Sequence, residues 1–195
     1  MTVLARYLTH PQVAIDPQRD IPLWHLSESG YARVAALVAR QALVGTTRVI
    51  SSDETKALET ARPLADLLGC PVEIRPAMHE NDRSATGFLP PAEFEATADL
   101  FFGNPTLSVR GWETAAHAQQ RVVRGFETCL SMAAKGDILF VGHGAVGTLL
   151  YCHLAGLPIS RMHDQGPGGG GSFFEITCEN PRPTCGWRPI EILAT

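Results

Sequence analysis

The chain reads as an α/β protein in which a largely parallel sheet is covered by helices. Three observations predict it. Short apolar or β-branched runs alternate with stretches of helical period. The two most apolar runs are continuous rather than alternating, as strands buried on both faces are. Those two runs each end on a histidine, His10 in TVLARYLTHP and His143 in DILFVGHGAV. In open α/β sheets ligands gather at the carboxyl ends of the strands, so these distant residues are placed to meet in one pocket.

The elements follow in order. A first strand over Thr2 to Leu8 precedes a polar loop with Asp16, Pro17, Gln18, Arg19, Asp20 and Pro22, of the kind that carries function above a strand end. Tyr31, Val34, Leu37, Val38 and Leu43 recur at near-helical spacing and predict a helix over 28–43, with Ser27 or Ser29 as N-cap. TTRVISS (46–52) is the next strand; Asp53 or a preceding serine caps the helix ETKALETARPLADLL (54–68), closed by Gly69. Pro63 inside that helix removes an amide donor and predicts a kink or a second segment. PVEIR (71–75) is a third strand.

Residues 76–111 lose periodicity apart from a helical piece, AEFEATADLFF, and read as an insertion over the strand ends. A long helix over 113–136 turns Val122, Val123, Phe126, Cys129, Leu130 and Ala133 toward the core. DILFV then runs into GHGAVGTLLYCHLAGLP, which puts Gly142, His143 and Gly144 on a strand-to-helix turn. SFFEITCE and WRPIEIL form an antiparallel pair at the sheet edge.

At 195 residues the expectation is one domain with a sizeable core, spanning 1–195. Hydrophobic residues make up 45% and charged residues 18%, a balance that argues against extended disorder. A net charge of -4 offers no global attraction to nucleic acid or to an anionic membrane, so any anion site is local and neither is an expected partner. Arg6, Thr9 and His10 interrupt the only N-terminal apolar run, so no secretory leader is expected, and no run reaches the roughly 20 residues of a membrane span; a cytoplasmic location is expected. Five cysteines without a C-x-x-C pair read as reduced, half-buried thiols, although Cys178 and Cys185 are placed to approach across a C-terminal hairpin.

Several clusters carry chemistry, each with a plainer reading beside it. Ser51, Ser52 and Lys56 open a helix straight after a strand, where amides and a cation hold phosphate; the plain alternative is an ordinary capped helix with Lys56 in solvent. Lone histidines are mostly structural, and His25, His117, His153 and His163 are read so. A neutral imidazole at a strand end attacks phosphorus without a separate base, and a second one donates to the equatorial oxygens where transition-state charge lies. Glu80 in MHENDR is the candidate general acid, or else a solvated loop carboxylate. His79, Glu80 and Asp82 are hard-metal donors without a helical partner pair, so no metal or other cofactor is expected. GPGGGG (166–171) lacks G-K-[ST] and reads as a flexible pocket rim or a linker. Phe88, Phe101, Phe102 and Trp112 would give the pocket an apolar wall or simply pack the 76–111 segment.

Taken in order, LSESG (26–30), SSDETKALETA (51–61), Glu80, GWET (111–114) and FVGHGAV (140–146) resemble the motifs of the histidine phosphatase superfamily, in its phosphoglycerate mutase-like branch. The resemblance runs from about Leu4 to Leu157. It implies a three-layer α/β/α sandwich with a mostly parallel sheet and an antiparallel edge strand. It also implies His10 as phosphorylated nucleophile, Glu80 as proton donor and His143 as phosphate ligand, with Thr9, Ser52, Lys56, Gly144 and Arg19 around the phosphate.

Three positions depart from the family pattern. Thr9 stands for the signature arginine, Pro11 for the glycine and Lys56 for the second arginine. Arginine offers phosphate a bidentate fork, lysine a point charge, threonine only a hydroxyl, and proline no amide. Arg6 lies three residues from Thr9 and so on the opposite strand face; Arg19, Arg83, Arg110 and Arg121 all stand as replacements. The first expectation is therefore a phosphoric monoester hydrolase working through a phosphohistidine on a small phosphorylated substrate. The alternative is a weak or inactive member that binds an anionic metabolite or a protein partner, and a metal-dependent hydrolase is a third.

Overall fold

The computed structural model describes residues 3–132 and 135–193. Six strands, β1 (Leu4–Thr9), β2 (Thr46–Ser51), β3 (Val72–Ile74), β4 (Asp137–Gly142), β5 (Ser172–Thr177) and β6 (Arg188–Pro189), lie in the order β3-β2-β4-β1-β5-β6. The first four are mutually parallel and β5 runs antiparallel to β1, so the sheet is mostly parallel with its antiparallel pair at one edge, as expected.

Alternation along β4 explains the layers. Ile138 and Phe140 face one core with Tyr7, Phe126, Leu149 and Phe174, beneath α3 (Pro91–Gly103), α4 (Ala115–Leu130) and α5 (Gly144–Ala155). Leu139 and Val141 face a second core with Leu8, Leu37, Val49 and Leu64, beneath α1 (Glu28–Ala39) and α2 (Thr55–Leu68). Both faces are covered, which is why β4 is apolar at every central position.

Several boundaries differ from the sequence reading. Helix α1 is capped by Ser27, which accepts from the Gly30 amide, but stops at Ala39 rather than 43, because Gln41 and Leu43 take positive φ (52° and 72°). Leu43 is still buried, while Tyr31 faces outward. Glu54, not Asp53 or a serine, precedes α2, and its side chain makes no capping bond. Helix α2 runs through Pro63 without dividing, and Gly69 closes it in the left-handed conformation (φ 67°). WRPIEIL contributes only Arg188 and Pro189 to the sheet; past Pro189 the chain tightens into a 3-10 turn over Ile190–Ile192. Leu130 is half-buried, and Ala133 and Thr2, placed by sequence on the core face of the long helix and in the first strand, lie outside the described residues. Among the described residues no helix is long and apolar enough to cross a membrane.

Register places the site. Thr9 pairs with Gly142 and Ser51 with Val141, so the chain leaves β1, β4 and β2 at one level, carrying His10, His143 and Ser52. Arg6 lies on the Leu8 face and bonds Asp137 and Glu175 at 2.9 Å each, away from these ends.

Candidate active site

The His10 amide donates to Gly142 O (3.0 Å), tying the end of β1 to the end of β4. Its ring lies 5.3 Å from that of His143, centroid to centroid, at 68°. His10 Nδ1 sits 2.8 Å from Pro11 O. A carbonyl only accepts, so that contact puts the proton on Nδ1 and leaves Nε2 with its lone pair. Pro11 lacks an amide for an anion, yet its carbonyl orients the imidazole. Burial, with the Lys56 charge adding to it, lowers the His10 pKa to about 4, so the ring is neutral near pH 7.

His143 is fully buried between β4 and α5. Tyr7, beneath it, accepts from the His143 amide at 3.1 Å and donates to its carbonyl at 3.2 Å. The close approach of Tyr7 demands glycine above: a Cβ on Gly142 would fall 2.3 Å from the Tyr7 hydroxyl oxygen. His143 Nε2 lies 2.8 Å from Ser52 Oγ and 3.6 Å from Glu54 Oε1, while Nδ1 has no hydrogen-bond partner. Burial holds its pKa well below the usual histidine range, against the pull of Glu54.

Glu80 is no solvated loop carboxylate. Its oxygens accept from the Ala145 (3.1 Å) and Val146 (3.0 Å) amides in the first turn of α5 and from Asn81 N (3.0 Å). Burial raises its pKa, and these amides only partly offset that. Helix N-termini favour carboxylates, so the element that follows His143 also seats this acid.

The β2–α2 turn departs from the plain alternative as well. Lys56 is 3% exposed, and its Nζ donates to Ile21 O (3.0 Å) and to Glu54. Glu54, 5% exposed, also accepts the Glu80 amide at 2.8 Å. Burial would raise the Glu54 carboxyl, but the bonded Lys56 ammonium and the Glu80 amide bring it below the usual carboxylate range; His143, neutral here, adds nothing to that. Sequence reasoning missed this residue; an acid two positions before a lysine at a helix start was the available sign.

The other expected phosphate contacts are dispersed. Thr9 is fully buried; its hydroxyl accepts from Ser172 N (3.0 Å) and donates to Gln165 Oε1 (2.7 Å). Gly144 lines the His10 cleft, and a Cβ there would meet Gln165 Nε2 at 2.5 Å. Arg19 is exposed on the polar loop and lines a neighbouring cleft of about 570 Å³ with Phe88. Among the other arginines, Arg121 is committed to Glu113 and Arg110 to Glu93. Arg83 is different: it stacks on Phe94 (4.9 Å to the ring centroid), its buried Nε has no partner, and with Glu80 and Asn81 it forms the wall shared by both clefts.

The cleft that holds His10, about 820 Å³, is walled by Phe94, Phe101, Phe102 and Trp112 and rimmed by Gly166 to Gly170. The glycine rim packs on the backbone of His10: Gly171 N donates to His10 O (3.0 Å), and a Cβ on Gly170 (φ 92°) would meet that oxygen at 2.1 Å. Arg33 holds the rim through Gly170 O (2.9 Å) and Gly171 O (3.0 Å). His79, Glu80 and Asp82 turn apart, to Glu80 O, to α5 and to Ser84 N respectively, and among the described residues no three His, Cys, Asp or Glu side chains are placed to hold a metal. All five cysteines are free thiols.

A family model for the histidine phosphatase superfamily (branch 1) matches residues 10–187. The chain belongs to the histidine phosphatase superfamily. A probable phosphoglycerate mutase GpmB of Yersinia enterocolitica is 28% identical over 149 residues, covering 74% of this chain and 68% of that protein. Among solved structures, Bacillus stearothermophilus YhfR superposes with a TM-score of 0.77 at 19% identity, covering 93% of this chain and 94% of that one. A mycobacterial glucosyl-3-phosphoglycerate phosphatase superposes with a TM-score of 0.74 at 19% identity (96% and 97% covered). Its complex with inorganic phosphate gives 0.71 at 22% (95% and 94%). This superfamily member therefore shares the fold of these solved structures, with His10 and His143 meeting at its strand ends.

Proposed function

We propose that the protein is a phosphoric monoester hydrolase acting through a phosphohistidine on a small phosphorylated molecule. The observation that carries this reading is the state of His10: a neutral ring, protonated on Nδ1 by its contact with Pro11 O, with a bare Nε2 beside His143. Nε2 attacks phosphorus as the bond to the leaving oxygen breaks, and Glu80, its pKa raised by burial, gives that oxygen its proton. Water then attacks the phosphohistidine, Glu80 takes the proton back, the P–N bond breaks and phosphate leaves. His143 and the Gly144 amide face the equatorial oxygens.

Arg83 supplies the cation that Thr9 does not. Its buried, unpartnered Nε and its place with Glu80 beside the His10 cleft support this, and Asn81 Nδ2, also buried without a partner on the same wall, joins it. The chain works as one unit over 1–195, with the 76–111 segment selecting the substrate through Phe94, Phe101, Phe102 and Trp112.

The test is rapid quench with an aryl phosphate under conditions that preserve P–N bonds. Wild type accumulates a labelled phosphate on His10, and His10→Ala loses turnover while keeping its circular dichroism spectrum; undiminished turnover by that variant overturns the reading. The commitment of Lys56 to Glu54 and of the Thr9 hydroxyl to Gln165 favours a second reading, an anion-binding member without turnover. It predicts saturable phosphate binding with no phosphohistidine in the same quench.

A further inference from the structure

The phosphoryl-transfer reading leaves Glu54 unexplained: a buried carboxylate, 3.6 Å from His143 Nε2 and bonded to Lys56, which stands where the family pattern has an arginine. The charged and titratable groups around it are few. Beside the two histidines Lys56 and Arg83 are cations and Glu54 an anion, His10, His143 and the buried Tyr7 phenol are held neutral, and Glu80 is the acid of the proposed first step. Farther along the cleft Arg161 is paired with Glu95 and Asp99, Asp164 accepts from Thr148 Oγ1 and the Gln165 amide, and His79 Nδ1 bonds Glu80 O. Beside the histidines two cations against one anion leave a single positive charge for the substrate, and the rest of the lining adds no unpaired cation, since Arg161 is held by Glu95 and Asp99. A buried charge without a counter-charge is strongly disfavoured, so a phosphoryl dianion in this pocket would be under-compensated, and more so beside an ionised Glu54. Lys56 is further restrained because two of its three donors are spent on Glu54 and Ile21 O.

We propose that Glu54 is the residue that sets substrate charge, limiting the site to a phosphoryl group bearing one negative charge, either a phosphodiester or the monoanion of a monoester. The proposal rests on the phosphoryl-transfer reading above and adds a selectivity that the family pattern does not contain. It makes Glu54 a specificity-determining residue: the carboxylate repels a second phosphoryl charge and withholds Lys56 from it.

The test uses two non-hydrolysable ligands, phenylphosphonate and its monomethyl ester, in calorimetric titrations of the whole protein. The pH runs from about 5.5 to about 8.5, across the second ionisation of the phosphonate; the ester stays a monoanion throughout. Ionisation of Glu80 affects both ligands alike and cancels in the ratio of their affinities. In wild type the phosphonate-to-ester ratio falls by about tenfold per pH unit above that ionisation, because only the shrinking monoanion fraction binds. In Glu54→Gln the fall is lost, since the repelling charge is gone and Lys56 is released. A wild-type ratio that is flat or rises with pH overturns the proposal while leaving phosphoryl transfer standing, and this arm decides even if the variant does not fold. A Glu54→Gln protein that folds and keeps the wild-type fall also overturns it. Failure of both ligands to bind removes the phosphoryl reading itself and the proposal with it. Aryl monoester and aryl methyl diester turnover then separates the two monoanion sources.

Discussion

The β4–α5 turn holds His143 and Glu80 with backbone, whereas the β2–α2 turn holds its groups with charged side chains. At the first, His143 is clamped through its own amide and carbonyl by Tyr7, and Glu80 rests on the Ala145 and Val146 amides. At the second, Lys56 and Glu54 form a buried ion pair, and Ser52 bonds the His143 Nε2 that lies 3.6 Å from Glu54. Backbone amides keep their dipole whatever the neighbours become, so the first turn is a fixed acid seat. A side-chain ion pair is a balance of charges that one substitution resets, so the proposal places the choice of substrate charge at the second.

The same difference governs what could be read from sequence. G-H-G after an apolar strand states its own geometry, because glycine, strand end and helix start are local features, and the alternation of strands and helices fixed the layers in the same way. The Glu54–Lys56 pair was hidden because a lysine at a helix start has an ordinary solvated reading, and only the packing of Ile21 O and His143 around it removes the water. Arg83 was visible only as one of four candidates: its rivals Arg110 and Arg121 are eliminated by acids, Glu93 and Glu113, that are distant or one-sided in sequence. The helix boundary at Ala39 was misjudged because Leu43 is buried as a helical position would be, but reaches the core from a left-handed turn.

The largest expected effect lies on the backbone-built turn. Glu80→Gln keeps the side chain's shape and one of the two oxygens that accept from α5 but removes the transferable proton, and kcat for an alkyl phosphate falls by about 10²- to 10⁴-fold, with a smaller loss for an activated aryl ester. Steady-state kinetics on both esters checks it. An equal loss on the two would break the assignment of Glu80 as the acid to the leaving oxygen.

On the side-chain-built turn the largest effect is on stability. Lys56→Met leaves Glu54 buried beside a neutral His143, at a cost of about 3–5 kcal/mol in urea unfolding. The double variant Lys56→Met/Glu54→Gln recovers much of that, because no buried charge is left alone. If the single variant is as stable as wild type, the pair is not the structural unit described.

Acid pH separates the turns again. An unfolded histidine takes its proton at about pH 6.5, whereas His10 resists until about 4, so the folded state binds fewer protons across that window. Stability due to this group is complete above 6.5 and is lost as pH falls to about 4, to a limit of about 3 kcal/mol. His143 acts in the same direction, and Glu80, with its pKa raised, in the opposite one, since its contribution is lost as pH rises. Urea midpoints between these pH values should drop less in His10→Asn than in wild type. A smaller effect again, about 1–3 kcal/mol, is expected of Gly142→Ala, whose new methyl must displace the Tyr7 hydroxyl.

The smallest effect asks whether Thr9 belongs to the phosphate or to the sheet. Its hydroxyl lies where the family pattern has an arginine, but it is spent on Gln165 Oε1 and Ser172 N, so it joins the end of β1 to the start of β5 instead of pointing a free donor at an anion. Thr9→Val keeps the shape of the buried side chain and removes both bonds. The expected cost is about 1 kcal/mol in stability, with phosphate affinity unchanged beyond what a slight loosening of Gln165 over Gly144 produces. Thermal melts with and without phosphate measure both quantities at once: an unchanged phosphate-induced rise in Tm from a lowered baseline assigns Thr9 to the sheet, and loss of the rise at an unlowered baseline assigns it to the phosphate.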